Sequence, residues 1–421
     1  MDIWILGEGV KRLAAALILT LLFSVVGGGG PANSEVPAEN PWTLDLLYLE
    51  KMLPDLHPNL FFKLSREEFS KEMEDLRRKA EGLKDEEIEL ELSRILARIG
   101  DSHTCIEHFS FFETEKIFPV KLEWLKDGLY VTAVHRDHSR ILGCRLTAVN
   151  DLPIDEVIER LNGLIPHENE GWAKVHHPRF LQSSVILEYL DIAPKGKAIY
   201  RLEAPGGFAF EEALEARERS SADFVRLSDR IREKPLYSMR KEPFWYQYLP
   251  DRKLLYFQYN QCREKPPASP GFYEVLDGLM AVLKEKRVEK LVIDMRNNTG
   301  GSTKPGEALI DRLTTDGAFQ GRIFVILGKR TFSSAVINAL ALKVKAGALL
   351  FGEPTGGSPN HFGEVQRLSL PHSKLKVQYS TRYFYLSDKY DGALVPDFAI
   401  EQSFDQYLKG IDPVMEAIFK F

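Results

Sequence analysis

The sequence predicts an α/β protein with a helical segment ahead of the α/β part, and three observations carry that reading. First, Lys290-Leu-Val-Ile-Asp-Met295 and Arg322-Ile-Phe-Val-Ile-Leu327 are near-continuous apolar runs, the composition of strands covered on both faces. Second, helical stretches separate such runs, Phe272 to Glu285 and Ser333 to Lys345. Third, apolar residues from Pro41 to about Gly100 recur at helical spacing instead of alternating.

The elements follow in order. Leu44, Leu47, Leu49 and Met52 mark a first helix. Ser65 and Glu68 form a capping box ahead of Phe69 and Met73. Ile88, Leu90, Leu92, Ile95 and Leu96 mark a further helix, so residues 41–117 read as an N-terminal helical domain. From 118 to 205 the pattern changes to short strands, with alternation over Val120–Trp124 and Gly128–Val134. Leu142–Asn150 then leads into a helix over Ile154–Leu161, a strand, turn and helix that suggest a small peptide-binding module. Residues 206–250 are rich in Glu and Arg and read as a charged linker or solvated helix face. Residues 251–421 form the α/β core, opening with a strand over Leu254–Tyr259.

Composition narrows the function. The chain of 421 residues is 44% hydrophobic with a net charge of −6, spread along its length. Without a basic block, nucleic acid is not an expected partner. Cys105, Cys144 and Cys262 are too few and too widely spaced for a disulfide scaffold or thiolate metal site. They read as small buried residues, with one disulfide as the alternative. No metal and no cofactor is expected. Lys11 and Arg12 precede the apolar run Leu13–Val26 and then Gly27–Gly30, so residues 1–34 read as a secretory signal. An uncleaved anchor is the alternative, and either places the remainder outside the cytoplasm.

Three segments carry chemistry: Gly100-Asp-Ser-His-Thr104, Asp294-Met-Arg-Asn-Asn-Thr-Gly-Gly-Ser302 and Thr331-Phe-Ser-Ser-Ala-Val336. A serine at a strand-to-helix junction presents its hydroxyl at a helix N-terminus, where partial positive charge stabilises a developing anion. Gly300-Gly301 lets backbone N–H groups approach a substrate oxygen. His103, flanked by small polar residues, suits a general base. Each has a plainer reading: Ser333 as a helix N-cap, the glycines as a turn, His103 as a structural histidine. The chain holds 10 histidines, and spacing alone does not choose among them.

Taken in order, these segments resemble the tail-specific (C-terminal processing) and tricorn-core serine peptidase family. Phe351-Gly-Glu-Pro-Thr-Gly-Gly357 and Val395-Pro-Asp397 resemble two further segments of that family. The resemblance spans about Trp42 to Asp397. It implies a ClpP/crotonase-like core, and a degenerate PDZ-like module over Leu142–Leu161 that would add a peptide as a strand. By position it implies Ser333 as nucleophile, with Ser334 as near neighbour. It implies His103 as general base oriented by Ser102, and Asp388 or Asp391 as the acid, of which Asp391 is retained. Oxyanion donors would be the N–H groups of Gly300 or Gly301 and of Ser334. Where some members carry a catalytic Lys, this chain has Ser358. The implied activity is cleavage of peptides or unfolded proteins through an acyl-enzyme. The alternative is a carrier of a hydrophobic ligand or peptide on the same core. An acyl-thioester enzyme fits poorly with a secretory signal.

Overall fold

The structure is a computed structural model that describes residues 40–421 apart from 222, 241, 268–269 and 316–318. The expected signal segment, 1–34, lies outside the described residues. Among the described residues no helix is long and apolar enough to cross a membrane, and all three cysteines are free.

Three helices come first: α1 (Pro41–Leu56), α2 (Arg66–Lys79) and α3 (Asp85–Ile99). Asn40 caps α1 by accepting from Trp42 N at 2.9 Å, and Ser65 with Glu68 closes the capping box of α2. Their apolar stripes, including Leu46, Leu53, Phe69, Met73, Leu92 and Leu96, are buried in one core. Gly100 ends α3 at φ 78°, the left-handed cap that a side chain disfavours. That turn releases the chain directly into Asp101–Thr104.

An antiparallel sheet follows. It contains β1 (Val120–Leu125), β2 (Gly128–His135), β3 (Arg145–Val149), β4 (Lys197–Glu203) and β5 (Ala209–Glu215). Helices α4 (Ile154–Asn162) and α5 (Glu170–Phe180) are inserted between β3 and β4. Strands β2 to β5 lie side by side, and β1 pairs with β2. The stretch 206–250 differs here from the linker or helix face expected of it. It supplies β5, paired with β4 from Lys197↔Glu215 to Glu203↔Ala209. Its charges alternate with Glu212 and Leu214, which are buried, so a period of two turns most of the acidic side chains outward. Charge density had masked that alternation.

The same stretch supplies the edge strand of the core sheet, β6 (Phe244–Leu249). The core continues with β7 (Leu254–Tyr259), α6 (Phe272–Glu285), β8 (Lys290–Asp294), α7 (Lys304–Thr314), β9 (Arg322–Leu327), α8 (Ser334–Ala346) and β10 (Leu349–Gly352). The chain then forms a hairpin, β11 (His361–Ser369) and β12 (Lys376–Phe384), and returns as β13 (Phe398–Ala399). The core sheet runs β6-β7-β8-β9-β10-β13, antiparallel at β6–β7 and parallel beyond. Leu255, Phe257, Ile293 and Val325 bury one face under α6, α7 and α8. Tyr256, Val292, Phe324 and Ile326 bury the other under α9 (Pro413–Phe419). Both faces are dry, which is why these strands read as unbroken apolar runs.

The Asp294–Arg296 pair holds this sheet to α9. Asp294 Oδ1 accepts from Arg296 Nε at 3.0 Å, and Tyr256 Oη donates to Oδ2 at 2.7 Å. Arg296 Nη2 reaches Asp412 Oδ2 at 2.8 Å, while Asp412 Oδ1 caps α9. Arg296→Ala leaves two buried carboxylates without their cation. We expect a loss of about 3–5 kcal/mol in urea unfolding, against about 1 kcal/mol for an exposed Arg such as Arg78.

Candidate active site

Two loops at the carboxyl ends of neighbouring parallel strands form one side of the site. β9 runs into Gly328–Phe332 and then Ser333, the residue that precedes α8. Ser333 sits at φ 55°, ψ −130°, and its side chain makes no capping hydrogen bond. A non-glycine residue there costs on the order of 1–3 kcal/mol, and such strain persists only where surrounding contacts enforce it. The enforcing contacts are visible. Thr331 Oγ1 donates to Met295 O at 2.9 Å, Phe332 N donates to Asn298 O at 3.0 Å, and Gly357 N donates to Thr331 O at 3.1 Å. A Cβ on Gly357 would stand 3.0 Å from Ser333 N, so only glycine allows this approach without a shift.

The loop after β8 supplies the second part. Asn298 is buried; its Nδ2 donates to Tyr259 O at 2.8 Å and its Oδ1 accepts from Gly300 N at 2.9 Å. Gly300 N–H is therefore engaged. The N–H groups of Gly301 and Ser334 have no acceptor among the described residues. Ser334 Oγ donates to Gly301 O at 2.6 Å, tying the start of α8 to the double glycine and occupying that hydroxyl. A Cβ on Gly300 would meet Phe332 O and Ser333 Cβ, each at 2.8 Å. Gly300→Ala is therefore expected to push the two loops apart. The fluorophosphonate labelling rate should fall at least tenfold while far-ultraviolet circular dichroism stays unchanged.

The turn after α3 supplies the third part. Asp101 is fully buried and organises it. Its Oδ1 accepts from His103 N at 2.9 Å; its Oδ2 accepts from Thr104 Oγ1 at 2.6 Å and Ser380 Oγ at 2.7 Å, and faces His57 Nε2 at 3.1 Å. Burial alone would raise the Asp101 carboxyl, but these donors and the neighbouring His103 outweigh it and hold it at about 2. His103 is buried, and burial depresses its imidazole to about 4; Asp101 opposes that shift and His361 reinforces it. His103 is thus a neutral acceptor at neutral pH. Neither ring nitrogen has a hydrogen-bond partner among the described residues. The ring stacks on Phe332, 4.5 Å between centroids, the residue immediately before Ser333.

Ser102 donates from Oγ to Glu168 Oε1 at 2.8 Å. Glu168 lies between α4 and α5, and burial raises its carboxyl to about 7; the Ser102 bond opposes that shift and the Asp101 charge adds to it. The sequence reading did not select Glu168, since nothing in Pro166-His-Glu-Asn169 marks it. The acid chosen from sequence, Asp391, lies instead on the loop before β13, where it lines a cleft of about 480 Å³ together with Glu168, Ser358 and His361. It makes no hydrogen bond or ion pair with His103 or Ser102. Asp388 is held by the Tyr385 hydroxyl. The carboxylates that do meet the Ser102–His103 turn are Asp101 and Glu168.

Oxygens of Asp101 and Glu168 and a ring nitrogen of His103 lie within 4.8 Å of one another, a spacing a divalent cation tolerates. Both Asp101 oxygens and Glu168 Oε1 are already engaged as acceptors. Glu168 Oε2 and both His103 ring nitrogens have no hydrogen-bond partner among the described residues.

No family model matches the chain, and no curated protein matches it. Solved structures do. Mature CPAF complexed with lactacystin superposes at a TM-score of 0.65 and 15% identity, covering 90% of this chain and 97% of that one. Mature CPAF alone gives 0.63 at 14% identity, covering 90% and 96%. The tricorn protease gives 0.44 at 15% identity, covering 90% of this chain and 36% of that one. Over nine-tenths of its length, the chain has the fold of mature CPAF.

Proposed function

We propose that this chain is a serine peptidase acting through an acyl-enzyme on Ser333, with His103 as general base. The conformation of Ser333 carries the reading: a serine strained to φ 55° ahead of a helix it does not cap, beside a double glycine. A binding protein has no need to hold a serine that way, so this favours the peptidase over the carrier.

In the proposed reaction Ser333 Oγ attacks the scissile carbonyl and its proton passes to His103. The N–H groups of Gly301 and Ser334 receive the oxyanion, the second at the positive end of α8. The tetrahedral adduct collapses, the C–N bond breaks, and the leaving amine takes the proton from His103. Water then attacks the ester by the same route in reverse, releasing the acid and restoring Ser333. Glu168 and Asp101 supply negative charge beside the imidazolium that forms in each half-reaction. Substrates are peptides or unfolded proteins, and the signal-like segment 1–34 puts the enzyme outside the cytoplasm.

The test is fluorophosphonate labelling followed by peptide mass spectrometry. The probe should attach to Ser333, and His103→Ala should slow it by several orders of magnitude. A folded wild-type protein that takes no label would favour the carrier.

A further inference from the structure

His103 differs from a conventional base in one respect: no hydrogen bond fixes its ring. Asp101 Oδ1 stands 3.8 Å from Nδ1, beyond hydrogen-bonding reach; Glu168 Oε1 is engaged with Ser102, and its Oε2 makes no hydrogen bond to the ring. Yet proton transfer needs a ring plane held within about 10–20°. Stacking supplies the restraint. Trp172 stacks on Phe332 at 3.8 Å and 9°, Phe332 on His103 at 4.5 Å and 24°, His103 on His361 at 5.5 Å and 18°, and His361 on Phe384 at 5.2 Å and 21°. Arg382 caps the far ring at 4.7 Å.

The five rings come from five different places. Trp172 is on α5, Phe332 is in the nucleophile loop, and His103 is in the turn after α3. His361 opens β11 and Phe384 closes β12, where the two are paired in register. His361 is 3% exposed, and its Nδ1 has no partner among the described residues. The backbone of Ser358 and Pro359 lies against the polar edge of the ring, and its two faces lie toward His103 and Phe384. Gly363 makes room for it: a Cβ there would press on Phe384 at 3.3 Å and on His361 at 3.4 Å.

We propose that His361 is a positioning residue: with Phe332 it clamps the His103 imidazole by stacking, in place of the usual ring hydrogen bond. The clamp also ties the base to the nucleophile, because Phe332 is joined directly to Ser333. This inference rests on the peptidase reading above.

The experiment compares His361→Leu and His361→Phe with wild type by the second-order rate of fluorophosphonate labelling at Ser333, and by kcat and KM on a casein-derived fluorogenic peptide. His361→Leu keeps the volume and removes the ring. It should lower labelling and kcat by about 10- to 100-fold with KM within about threefold, because the base is misplaced while the substrate contacts remain. His361→Phe restores an aromatic face and should recover most of that loss. Thermal unfolding of each variant confirms that the compared proteins are folded. Equal rates in the Leu and Phe variants would overturn the proposal. So would a Phe variant as slow as Leu alongside an active His361→Gln, since the residue would then act through a nitrogen. If wild type takes no label, the peptidase reading itself fails, an outcome separate from either of these.

Discussion

Ser333→Gly should give a protein more stable than wild type and without peptidase activity. At φ 55°, ψ −130° the wild-type serine carries strain on the order of 1–3 kcal/mol, and glycine adopts that conformation without it. Glycine also widens the unfolded ensemble, which costs about 0.4–1 kcal/mol. The net expectation is a gain of about 1 kcal/mol in urea unfolding. Labelling and peptide cleavage should fall at least a thousandfold, as for loss of a nucleophile. Ser333→Ala provides the second arm: it loses activity equally but keeps the strain, so its stability should match wild type. Ser334→Ala provides the third, because Ser334 Oγ is occupied by Gly301 O and is not free to attack. It should keep its label at Ser333 while losing the tie between the two loops. Two outcomes count against the assignment: label moving to Ser334, or Ser333→Gly less stable than Ser333→Ala.

The parallel core was legible because it is dry on both sides. Strands β8 and β9 and their helices are runs whose composition admits few alternatives, and the strand-to-loop exits at Asp294 and Leu327 follow from them. The turn residues of the candidate site stand out in the sequence for a related reason. Gly100, Gly300 and Ser333 must adopt conformations or approaches that restrict residue choice, so they leave a mark in the sequence. Glu168 leaves none. A carboxylate in a loop between two helices becomes part of the site only because the antiparallel domain folds back against the turn after α3, a contact across 66 positions between Ser102 and Glu168. The stack is hidden in the same way, since Trp172, Phe332, His103, His361 and Phe384 share no spacing. Strand β5 was missed for a local reason. Its inward positions hold Glu212 and Leu214, and Glu212 is buried only because Arg140 and His138 reach it from another segment.

Glu168→Gln should remove both the acid limb of the pH–rate profile and the loss of stability that Glu168 causes as pH rises. The Glu168 carboxyl titrates near 7 in the folded protein against an ordinary 4.5. The folded state therefore holds this proton more tightly than the unfolded chain. Its contribution to stability falls as pH rises from about 4.5 through about 7, and is flat outside that window. Glutamine carries no such penalty. The variant should match wild type at pH 4.5 and exceed it at pH 8 by up to about 3 kcal/mol. Activity should move the other way. Beside His103, with Asp101 already ionised, the second negative charge of Glu168 favours the imidazolium of the transition state, so kcat/KM in wild type should rise through an apparent pKa near 7. His103 itself, depressed to about 4, would place a limb far lower. In Glu168→Gln the limb near 7 should vanish, leaving a plateau about 10- to 100-fold down between pH 5 and 8. Urea midpoints and kcat/KM measured over that range, for the two proteins side by side, decide it. A limb that persists unchanged in the variant would show that Glu168 is not the group that titrates, and would leave Asp101, ionised throughout that range, as the carboxylate that supports the imidazolium.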